Sequence, residues 1–362
     1  MIVYFTKQYQ AVPALMPLYK GASGVFVTTR SSTLRAIRKV YPGARVVLLR
    51  ESLGRFSRGD RLLREADVIV TGSPNRELLS RYSARKYMVF HGTYAFMAQA
   101  EIDGLRHFDQ ICVIGPRMHE ALAESGLQDR LVYSGYLPFL DFPERDPDQR
   151  RAFLQQVGLD PSAKTLLYLP RGKPYGSWDV MAEKLLRNVP PHYNLILRPH
   201  PSQSVTARIK DRVGFMRLQR LCRERGNAML DLTACKLSTL FAVGDLVITD
   251  GASSPEEALY YDLPLLFVES AGSSPDAIAA MMRGKKISED YIAKLLTIYG
   301  CGMRMTPDSS DMAQIIGASL ADADRFRPQR EAYFKWVFGE RDMSRQRDLI
   351  HHLTNDQGSL TS

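Results

Sequence analysis

The sequence predicts an α/β protein built from two doubly wound, Rossmann-like domains. Three observations carry this prediction. The chain has 362 residues, short β-rich apolar runs recur along its whole length, and polar stretches with helical spacing separate those runs. A chain of this length fits two domains of about 150 to 200 residues each. Strands that alternate with helices form parallel sheets, because a parallel connection needs a crossover element.

Segments with the composition of buried strands occur in both halves of the chain. They are rich in Val, Ile, Leu, Phe and Tyr, which is typical of strands that are covered on both faces. The predicted strands lie at residues 2–5, 24–29, 45–49, 67–71, 86–90, 110–114 and 131–133 in the first half, and at 165–169, 194–197, 228–230, 246–249 and 264–268 in the second.

A charged segment with two prolines, DFPERDPDQRR at Asp141–Arg151, is the best candidate for the linker between the domains. We therefore expect an acceptor domain at residues 1–145 and a nucleotide-donor domain at residues 155–325. The polar end of the chain has helical spacing. We expect residues 326–362 to form a helical segment that packs back toward the first domain.

Composition excludes several classes of protein. No apolar run approaches the roughly 20 residues that span a bilayer, and MIVYFTKQYQ lacks the features of a secretory signal, so we expect a cytoplasmic protein. The cysteines have neither the close spacing nor the histidine partners of a disulfide framework or a zinc site, and we expect buried or inert thiols and no metal site. They are Cys112, Cys222, Cys235 and Cys301.

Positive charge is concentrated in residues 1–64, which contain twelve Lys or Arg and only two acids, Glu51 and Asp60, whereas the rest of the chain is nearly neutral. This concentration suits an anionic partner such as a phosphorylated polymer or the surface of an anionic membrane. We expect no nucleic-acid partner, because the chain has no ribonucleoprotein or zinc-finger motif. A solvated basic face without a partner is the alternative.

The first group of reactive residues follows the strand in KYMVFHGTYAF, which ends on His91, Gly92 and Thr93. An imidazole has an ordinary pKa near 6.5 and accepts a proton at neutral pH, and glycine lets a ligand approach the backbone closely. The pattern indicates a general base at His91. A histidine satisfied by a backbone carbonyl at a strand end is the structural alternative.

Two basic turns follow strands of the second half. In NLILRPHPSQS a strand leads into Arg198 and His200, and the two prolines stiffen the turn that presents them. A guanidinium offers paired hydrogen bonds to phosphate oxygens, so this turn indicates a diphosphate site. Arg198 paired with a carboxylate and His200 capping a loop is the alternative. In TLLYLPRGKPYGSW, Arg171 belongs to a basic, glycine-bearing turn, for which a plain surface turn is equally compatible.

The fourth group lies in GDLVITDGASSPEEALYYDLPLLF, where a strand, a turn of small residues and a helix follow one another. Free backbone N–H groups and hydroxyls at a helix N-terminus bind anions, which predicts a nucleotide diphosphate at residues 249–254. Glu256 or Glu257 would accept hydrogen bonds from ribose hydroxyls. Both acids are equally well explained as first-turn residues that complement the helix dipole.

In this order the motifs resemble the CDP-glycerol glycerophosphotransferase family, the teichoic-acid primases and polymerases. The resemblance covers residues 65–345 and rests on HGT at His91–Thr93, LYLPRG at Leu167–Gly172, RPHP at Arg198–Pro201 and TDGASS at Thr249–Ser254. It implies the GT-B architecture, in which two Rossmann-like domains face a cleft. It also implies that the histidines of the two domains face one another there.

The resemblance further implies a transferase that moves glycerol phosphate, or a related polyol or sugar phosphate, from a CDP-activated donor to a hydroxyl and releases CMP. The acceptor would be a cell-envelope or capsule polysaccharide, a teichoic-acid-like polymer or a lipid-linked molecule, met at the inner face of the cytoplasmic membrane. No cofactor beyond the donor substrate and no metal is implied. It implies that His91 is the base for the acceptor hydroxyl and that Arg198, His200, Ser253 and Ser254 hold the nucleotide diphosphate. Taken with the motifs themselves, this predicts His91 and His200 as catalytic residues and places Gly92 and Thr93 on the acceptor side. The predicted donor site consists of Arg171, Arg198, Thr249, Asp250, Gly251, Ser253, Ser254 and Glu257.

Two other functions stay open. The segment SSPEEALYYDLPLLF is also similar to the small-residue turn and glutamate pair of GT-B glycosyltransferases and UDP-N-acetylglucosamine 2-epimerases, which use UDP-sugars. Fold alone does not separate these chemistries. A non-catalytic member that binds a nucleotide or an envelope polymer is the second alternative.

Overall fold

The computed structural model describes residues 1–173, 175–200, 203, 209–233, 236–251 and 253–358, with the backbone alone at 55, 209–211, 253 and 356–358. The chain divides into two compact units. Unit 1 consists of Met1–Asp141 and Lys335–Ser362, and unit 2 consists of Phe142–Phe334.

Unit 1 contains a seven-stranded sheet in the order β3-β2-β1-β4-β5-β6-β7, in which every pairing is parallel. All residues of the first and fourth strands are buried, because helices cover both faces of the sheet. The strands are β1 (Ile2–Phe5), β2 (Gly24–Thr28), β3 (Val46–Leu48), β4 (Val68–Thr71), β5 (Arg85–Val89), β6 (Gln110–Val113) and β7 (Leu131–Tyr133).

The helices of this part of unit 1 follow the strands as crossovers. They are α1 (Val12–Gly21), α2 (Ser31–Val40), α3 (Arg58–Arg64), α4 (Arg76–Leu79), α5 (Gln99–Asp103) and α6 (Pro116–Leu122). One-turn helical segments lie at Tyr9–Ala11, Glu51–Phe56, Gln128–Arg130 and Leu137–Asp141, and a wider turn lies at Ala123–Leu127. The core of the unit packs Tyr4, Leu15, Phe26 and Val70 together with Leu353 from the end of the chain.

Unit 2 contains a six-stranded parallel sheet in the order β10-β9-β8-β11-β12-β13. Its four central strands are buried along their whole length, which explains their continuous apolar sequences. The strands are β8 (Thr165–Tyr168), β9 (Asn194–Leu197), β10 (Ala228–Leu230), β11 (Leu246–Thr249), β12 (Leu265–Val268) and β13 (Gly302–Met305).

The remaining helices belong to unit 2 and to the end of the chain. Those within unit 2 are α7 (Pro147–Gln156), α8 (Trp178–Asn188), α9 (Ile209–Arg225), α10 (Leu237–Val243), α11 (Ser253–Ala258), α12 (Pro275–Gly284), α13 (Glu289–Leu296) and α14 (Met312–Ala321). Short turns lie at Leu259–Tyr261, Thr297–Cys301 and Ala323–Phe326. The chain ends with α15 (Arg327–Phe338), within which the division between the units falls, and α16 (Ser344–Gly358).

The predicted fold class is confirmed, and each of the predicted strands is present to within a residue at either end. One strand, β13, was not predicted. It is an edge strand in which Met303 and Arg304 are partly or fully exposed, so its sequence lacks a continuous apolar run.

The expected linker is wrong in its second half, because the chain is helical from Pro147 onward. The Asp146 side chain accepts hydrogen bonds from the backbone N–H groups of Asp148 and Gln149, and Pro147 occupies the first helical turn. Arg150 then donates to the carbonyl oxygens of Pro161 and Ala163 at 2.7 and 2.9 Å, which fixes this helix to unit 2. The charged composition therefore reflects a capped surface helix.

Cys112, Cys222 and Cys301 are buried thiols that form no disulfide, and Cys235 lies outside the described residues. Burial raises the pKa of Cys112 to about 12, so that thiol is not ionised at neutral pH. In the part of the chain that the structure describes, no helix combines the length and the apolar composition that crossing a membrane requires.

Candidate functional site

The two sheets reverse their strand order at equivalent places, between β1 and β4 in unit 1 and between β8 and β11 in unit 2. In doubly wound sheets, ligands bind beyond the carboxyl ends of the strands near such a reversal. The residues singled out in the sequence lie at these ends. His91 comes two residues after β5, Arg171 three after β8, and Asp250 directly after β11.

The His91 ring is held by a backbone carbonyl of the neighbouring strand end. Its Nδ1 lies 2.8 Å from the carbonyl oxygen of Gly72, which follows β4. A carbonyl oxygen only accepts, so Nδ1 must carry the hydrogen, and the neutral ring then presents the lone pair of Nε2. A histidine satisfied by a backbone carbonyl, which was the structural alternative, is therefore compatible with a general base: Nδ1 makes the hydrogen bond that orients Nε2.

Burial also keeps His91 neutral. It lowers the pKa of the imidazole below its ordinary value, and the hydrogen bond to Gly72 only partly offsets this effect. A neutral imidazole with an oriented Nε2 is the form that accepts a proton. At neutral pH the ring is thus in the protonation state that general-base catalysis needs.

Tyr94 contacts the same ring and was not singled out in the sequence. Its hydroxyl lies 3.2 Å from Nδ1 and 3.3 Å from Nε2 of His91, and the two rings meet edge to face at 5.5 Å. Its φ angle is +44°, an uncommon conformation for a bulky residue that occurs mainly where surroundings enforce it. Edge-on packing against Phe90 at 5.1 Å is one such constraint. No local sequence signal marks this backbone conformation.

The expected acceptor-side residues, Gly92 and Thr93, form the turn between His91 and Tyr94. Gly92 is half-buried, whereas Thr93 is buried and its carbonyl oxygen accepts a hydrogen bond of 2.8 Å from Arg117 on α6. Arg117 is itself buried, and its guanidinium lies 5.4 Å from the centre of the Trp336 ring. The buried guanidinium of Arg117 therefore holds the turn that carries His91.

In unit 2, Asp250 joins two backbone turns. It is fully buried, and its carboxylate accepts hydrogen bonds from the backbone N–H of Arg171, at 2.6 Å, and from that of Ser177. Burial raises the pKa of Asp250, while the hydrogen bonds from Ser177 and Arg171 oppose the rise. The turn after β8 and the turn after β11 are thereby held as one structure.

Thr249 and Gly251 shape the same turn. The Thr249 hydroxyl donates to the Leu169 carbonyl at 2.8 Å and accepts from the Gly251 N–H at 3.3 Å. Gly251 has a φ of +106°, which favours glycine, and a methyl group added there would lie 3.7 Å from Cδ of Arg171. A corresponding bridge closes β4 in unit 1, where the Thr71 hydroxyl accepts from the Ser73 N–H at 3.2 Å and donates to the Ser73 carbonyl at 3.0 Å.

The RPHP turn follows β9. Arg198 Nη1 lies 3.1 Å from a carboxylate oxygen of Asp231, a buried residue, so the ion pair anticipated as the alternative is present. His200 is half-buried and its carbonyl accepts from the Gln203 N–H at 2.8 Å. Burial lowers the pKa of His200, and the negative charge of Asp250 acts in the opposite direction.

The guanidinium of Arg171 lies 5.8 Å from the centre of the Tyr175 ring, which is within the range of a cation–π contact. The helix predicted after the small-residue turn is α11. Ser254 and Glu257 on it are half-buried, and the side chain of Ser253 lies outside the described residues. Glu256 is buried and accepts a hydrogen bond of 3.0 Å from the Tyr333 hydroxyl, so it has a structural partner.

Among the described residues, His, Cys, Asp and Glu side chains do not gather in groups of three or more that would hold a metal ion.

Ser177, like Tyr94, contributes to the site but was not predicted. It lies on the loop that leads into α8, and only its contact with Asp250, far along the chain, shows its role.

No protein-family profile matches the chain, and no curated protein sequence matches it. Solved structures do match. The wall teichoic acid polymerase TagF superposes with a TM-score of 0.65 at 14% identity, covering 100% of this chain and 90% of that chain. A histidine-to-asparagine variant of TagF soaked with CDPG gives a TM-score of 0.66 at 12% identity, with coverages of 100% and 89%.

HepE from Anabaena, in complex with UDP and glucose, gives a TM-score of 0.56 at 13% identity, with coverage of 98% of this chain and 99% of that chain. At such low identity these likenesses establish the fold. The chain has the two-domain α/β GT-B fold that TagF and HepE share.

Proposed function

We propose that the chain transfers a polyol phosphate, foremost glycerol phosphate, from a CDP-activated donor to a hydroxyl of a cell-envelope acceptor and releases CMP. The fold shared with TagF supports this proposal, and a TagF variant was soaked with CDPG. The observation that carries it is the geometry of His91: the Gly72 carbonyl fixes Nδ1 as the nitrogen that bears the hydrogen, so Nε2 carries the lone pair that accepts a proton.

The transfer requires one proton movement. The acceptor hydroxyl oxygen forms a bond to the distal phosphorus, and its proton passes to Nε2 of His91. The bond between that phosphorus and the bridging oxygen breaks, and the bridging oxygen leaves with CMP. Phosphoryl transfer depends mainly on positioning and charge neutralisation, so an oriented base and fixed cations are the equipment it needs.

We assign the donor to unit 2, with its diphosphate bound by Arg171, Arg198, His200 and the hydroxyls of Ser253 and Ser254, and its ribose by Glu257. Arg198 keeps further N–H donors besides the one that faces Asp231. Thr249 and Asp250 would act through the turn that they hold around Gly251. On the acceptor side, Gly92 and Thr93 would shape the approach to His91.

The acceptor in this proposal is lipid-linked or polyanionic and is reached at the inner face of the cytoplasmic membrane. The excess of Lys and Arg in residues 1–64 supports an anionic partner, because it is the only stretch of the chain with so large an imbalance of charge. No cofactor or metal is part of the proposal.

A second candidate is a GT-B glycosyltransferase that uses a UDP-sugar. It is favoured by the match to HepE, which extends over 99% of that chain and was solved with UDP and glucose. The two candidates differ in the nucleotide released. The donor should therefore be identified by incubating the full chain with CDP-glycerol, CDP-ribitol and UDP-glucose, with a membrane fraction as acceptor, and by measuring CMP and UDP.

We expect CMP from CDP-glycerol and no UDP. UDP release alone would replace the first candidate by the second, and release of neither nucleotide would favour a binding protein without activity. The variant His91→Asn keeps an N–H donor for the Gly72 carbonyl but has no proton acceptor, so CMP release should fall at least about a hundredfold. His192→Asn in unit 2 is the matched control, because His192 is exposed and outside the proposed site.

A further inference from the structure

We propose that the turn Glu51–Phe56 of unit 1 inserts into the surface of an anionic bilayer and docks the protein there. The segment exposes two apolar side chains, with 83% of Phe56 and 46% of Leu53 accessible to solvent. Single exposed apolar residues are common on protein surfaces, whereas neighbouring ones that are bordered by charged residues mark an interaction site. The inference deepens the proposed function and rests on it only for the idea that the acceptor is membrane-bound.

The tip stands on a fixed base. Arg50 donates its backbone N–H to the Ser57 hydroxyl at 3.0 Å, and Ser57 in turn donates its N–H to the Gly54 carbonyl at 3.0 Å. Gly54 has a φ of +49°, which permits the tight reversal between Leu53 and Phe56. Leu49 and Ser57, on either side of the turn, are buried. The apolar side chains are therefore displayed by a closed and anchored turn.

Cations border the tip. Lys7, Arg30 and Arg50 follow β1, β2 and β3, and all three are exposed. These strands are neighbours in a parallel sheet, so their carboxyl ends lie along one edge at intervals of about 4.8 Å. Arg58 and Arg61, on the helix that follows the turn, are exposed as well. The edge thus combines apolar side chains with a row of positive charge.

This combination selects the partner. A soluble polyanion would bind the cations but would leave Phe56 in water, whereas an anionic bilayer offers phosphates to the cations and an apolar interior to Leu53 and Phe56. His91 follows β5 at the same edge of the sheet, four strand positions from β3, or on the order of 20 Å away. A docked edge would therefore bring the proposed base close to the headgroup region.

The test is co-sedimentation of the full chain with vesicles of phosphatidylcholine and with equimolar vesicles of phosphatidylcholine and phosphatidylglycerol. We expect binding to the mixed vesicles only. The double variant Leu53→Ser, Phe56→Ser should lower the partition coefficient at least about tenfold, the loss expected when buried apolar side chains are replaced by polar ones. The matched control is Val213→Ser, Met216→Ser, which alters residues of unit 2 that are 63% and 68% exposed, and it should bind like the wild type.

Phe56→Trp gives an independent reading, since its emission should shift to the blue on mixed vesicles if the turn inserts. The proposal is overturned if the wild type ignores anionic vesicles, or if the serine double variant binds within twofold of it. Turnover of CDP-glycerol with a detergent-solubilised acceptor separates the two proposals. Loop-dependent binding without any turnover would remove the proposed function alone, and normal turnover with loop-independent binding would remove this inference alone.

Discussion

Replacement of Asp250 tests whether a buried carboxylate organises the donor side of unit 2. The carboxylate accepts two backbone hydrogen bonds, from Arg171 and Ser177, and has no exposed surface. In Asp250→Asn one oxygen becomes an N–H donor that faces a backbone N–H. One charge-assisted bond is lost, worth about 1.5 to 3 kcal/mol, and the buried amide is left unsatisfied.

We therefore expect Asp250→Asn to lower the free energy of unfolding of unit 2 by roughly 2 to 4 kcal/mol. Asp250→Ala removes both bonds and should cost roughly 3 to 6 kcal/mol. The affinity for CDP-glycerol should fall in both variants, because the turns after β8 and β11 lose one or both of the hydrogen bonds through which Asp250 joins them.

Urea unfolding followed by tryptophan fluorescence measures the change. Trp178 is buried in unit 2 and stacks on Tyr168 at 5.8 Å, so a Trp336→Phe background leaves a reporter for that unit alone. Asp179→Asn is the control, since its ion pair with Lys173 is largely exposed and should contribute at most about 1 kcal/mol. An Asp250→Asn variant within 0.5 kcal/mol of the wild type, on the order of the measurement error, would refute the reasoning.

Three further predictions concern His91 and Tyr94 in unit 1 and Gly251 in unit 2. The acid limb of kcat/KM should have its midpoint below pH 6.5, because burial lowers the pKa of His91 and the base must be neutral. The same shift makes the contribution of His91 to folding stability largest above the pKa of the unfolded state, and this contribution is lost as the pH falls through the pKa of the folded state. A midpoint above pH 6.5 in the pH profile would contradict both expectations. Tyr94→Phe keeps the contact with Phe90 but removes the hydroxyl beside His91, so kcat/KM should drop roughly twofold to tenfold and the acid limb of its pH profile should move. An unchanged pH profile would show that the hydroxyl has no influence on the base. Gly251→Ala should lower the free energy of unfolding by about 1 to 3 kcal/mol, because alanine is strained at the positive φ of this position. The control Gly284→Ala, at a position with open space around it, should leave the free energy of unfolding unchanged or raise it. Equal effects in thermal or urea unfolding would exclude backbone strain as the cause.

Much of the fold is visible in the sequence because central strands of parallel sheets are buried on both faces. Segments such as Leu246–Thr249 consist of apolar and β-branched residues throughout, and their ends are marked by glycine or charge. The edge strand Gly302–Met305 was missed because it lacks this signature: glycine opens it, and Met303 and Arg304 are partly or fully exposed. The helix at Pro147–Gln156 was hidden by its charge, since its Asp146 cap and first-turn proline are also typical of a loop.

The site could be predicted in part for the same reason. His91, Arg171 and Asp250 stand out because they follow visible strands. Their partners do not, because each contact joins distant parts of the chain: Gly72 to His91, and Ser177 to Asp250. A periodic pattern reports which side chains are buried, whereas it carries no information on which backbone N–H a buried carboxylate will meet.

The threonine bridges at Thr71 and Thr249 have a consequence for how the two units differ. Each hydroxyl fixes the direction in which the main chain leaves its strand, at the same position in the strand order of its sheet. The next residue differs between the units: it is Gly72 in one unit, which offers a carbonyl to an imidazole, and Asp250 in the other, which offers a carboxylate to backbone amides. The same turn after a strand thus presents a carbonyl oxygen in unit 1 and a carboxylate in unit 2. Redesign of either half should therefore leave the threonine intact and preserve the hydrogen bonds that the next residue makes.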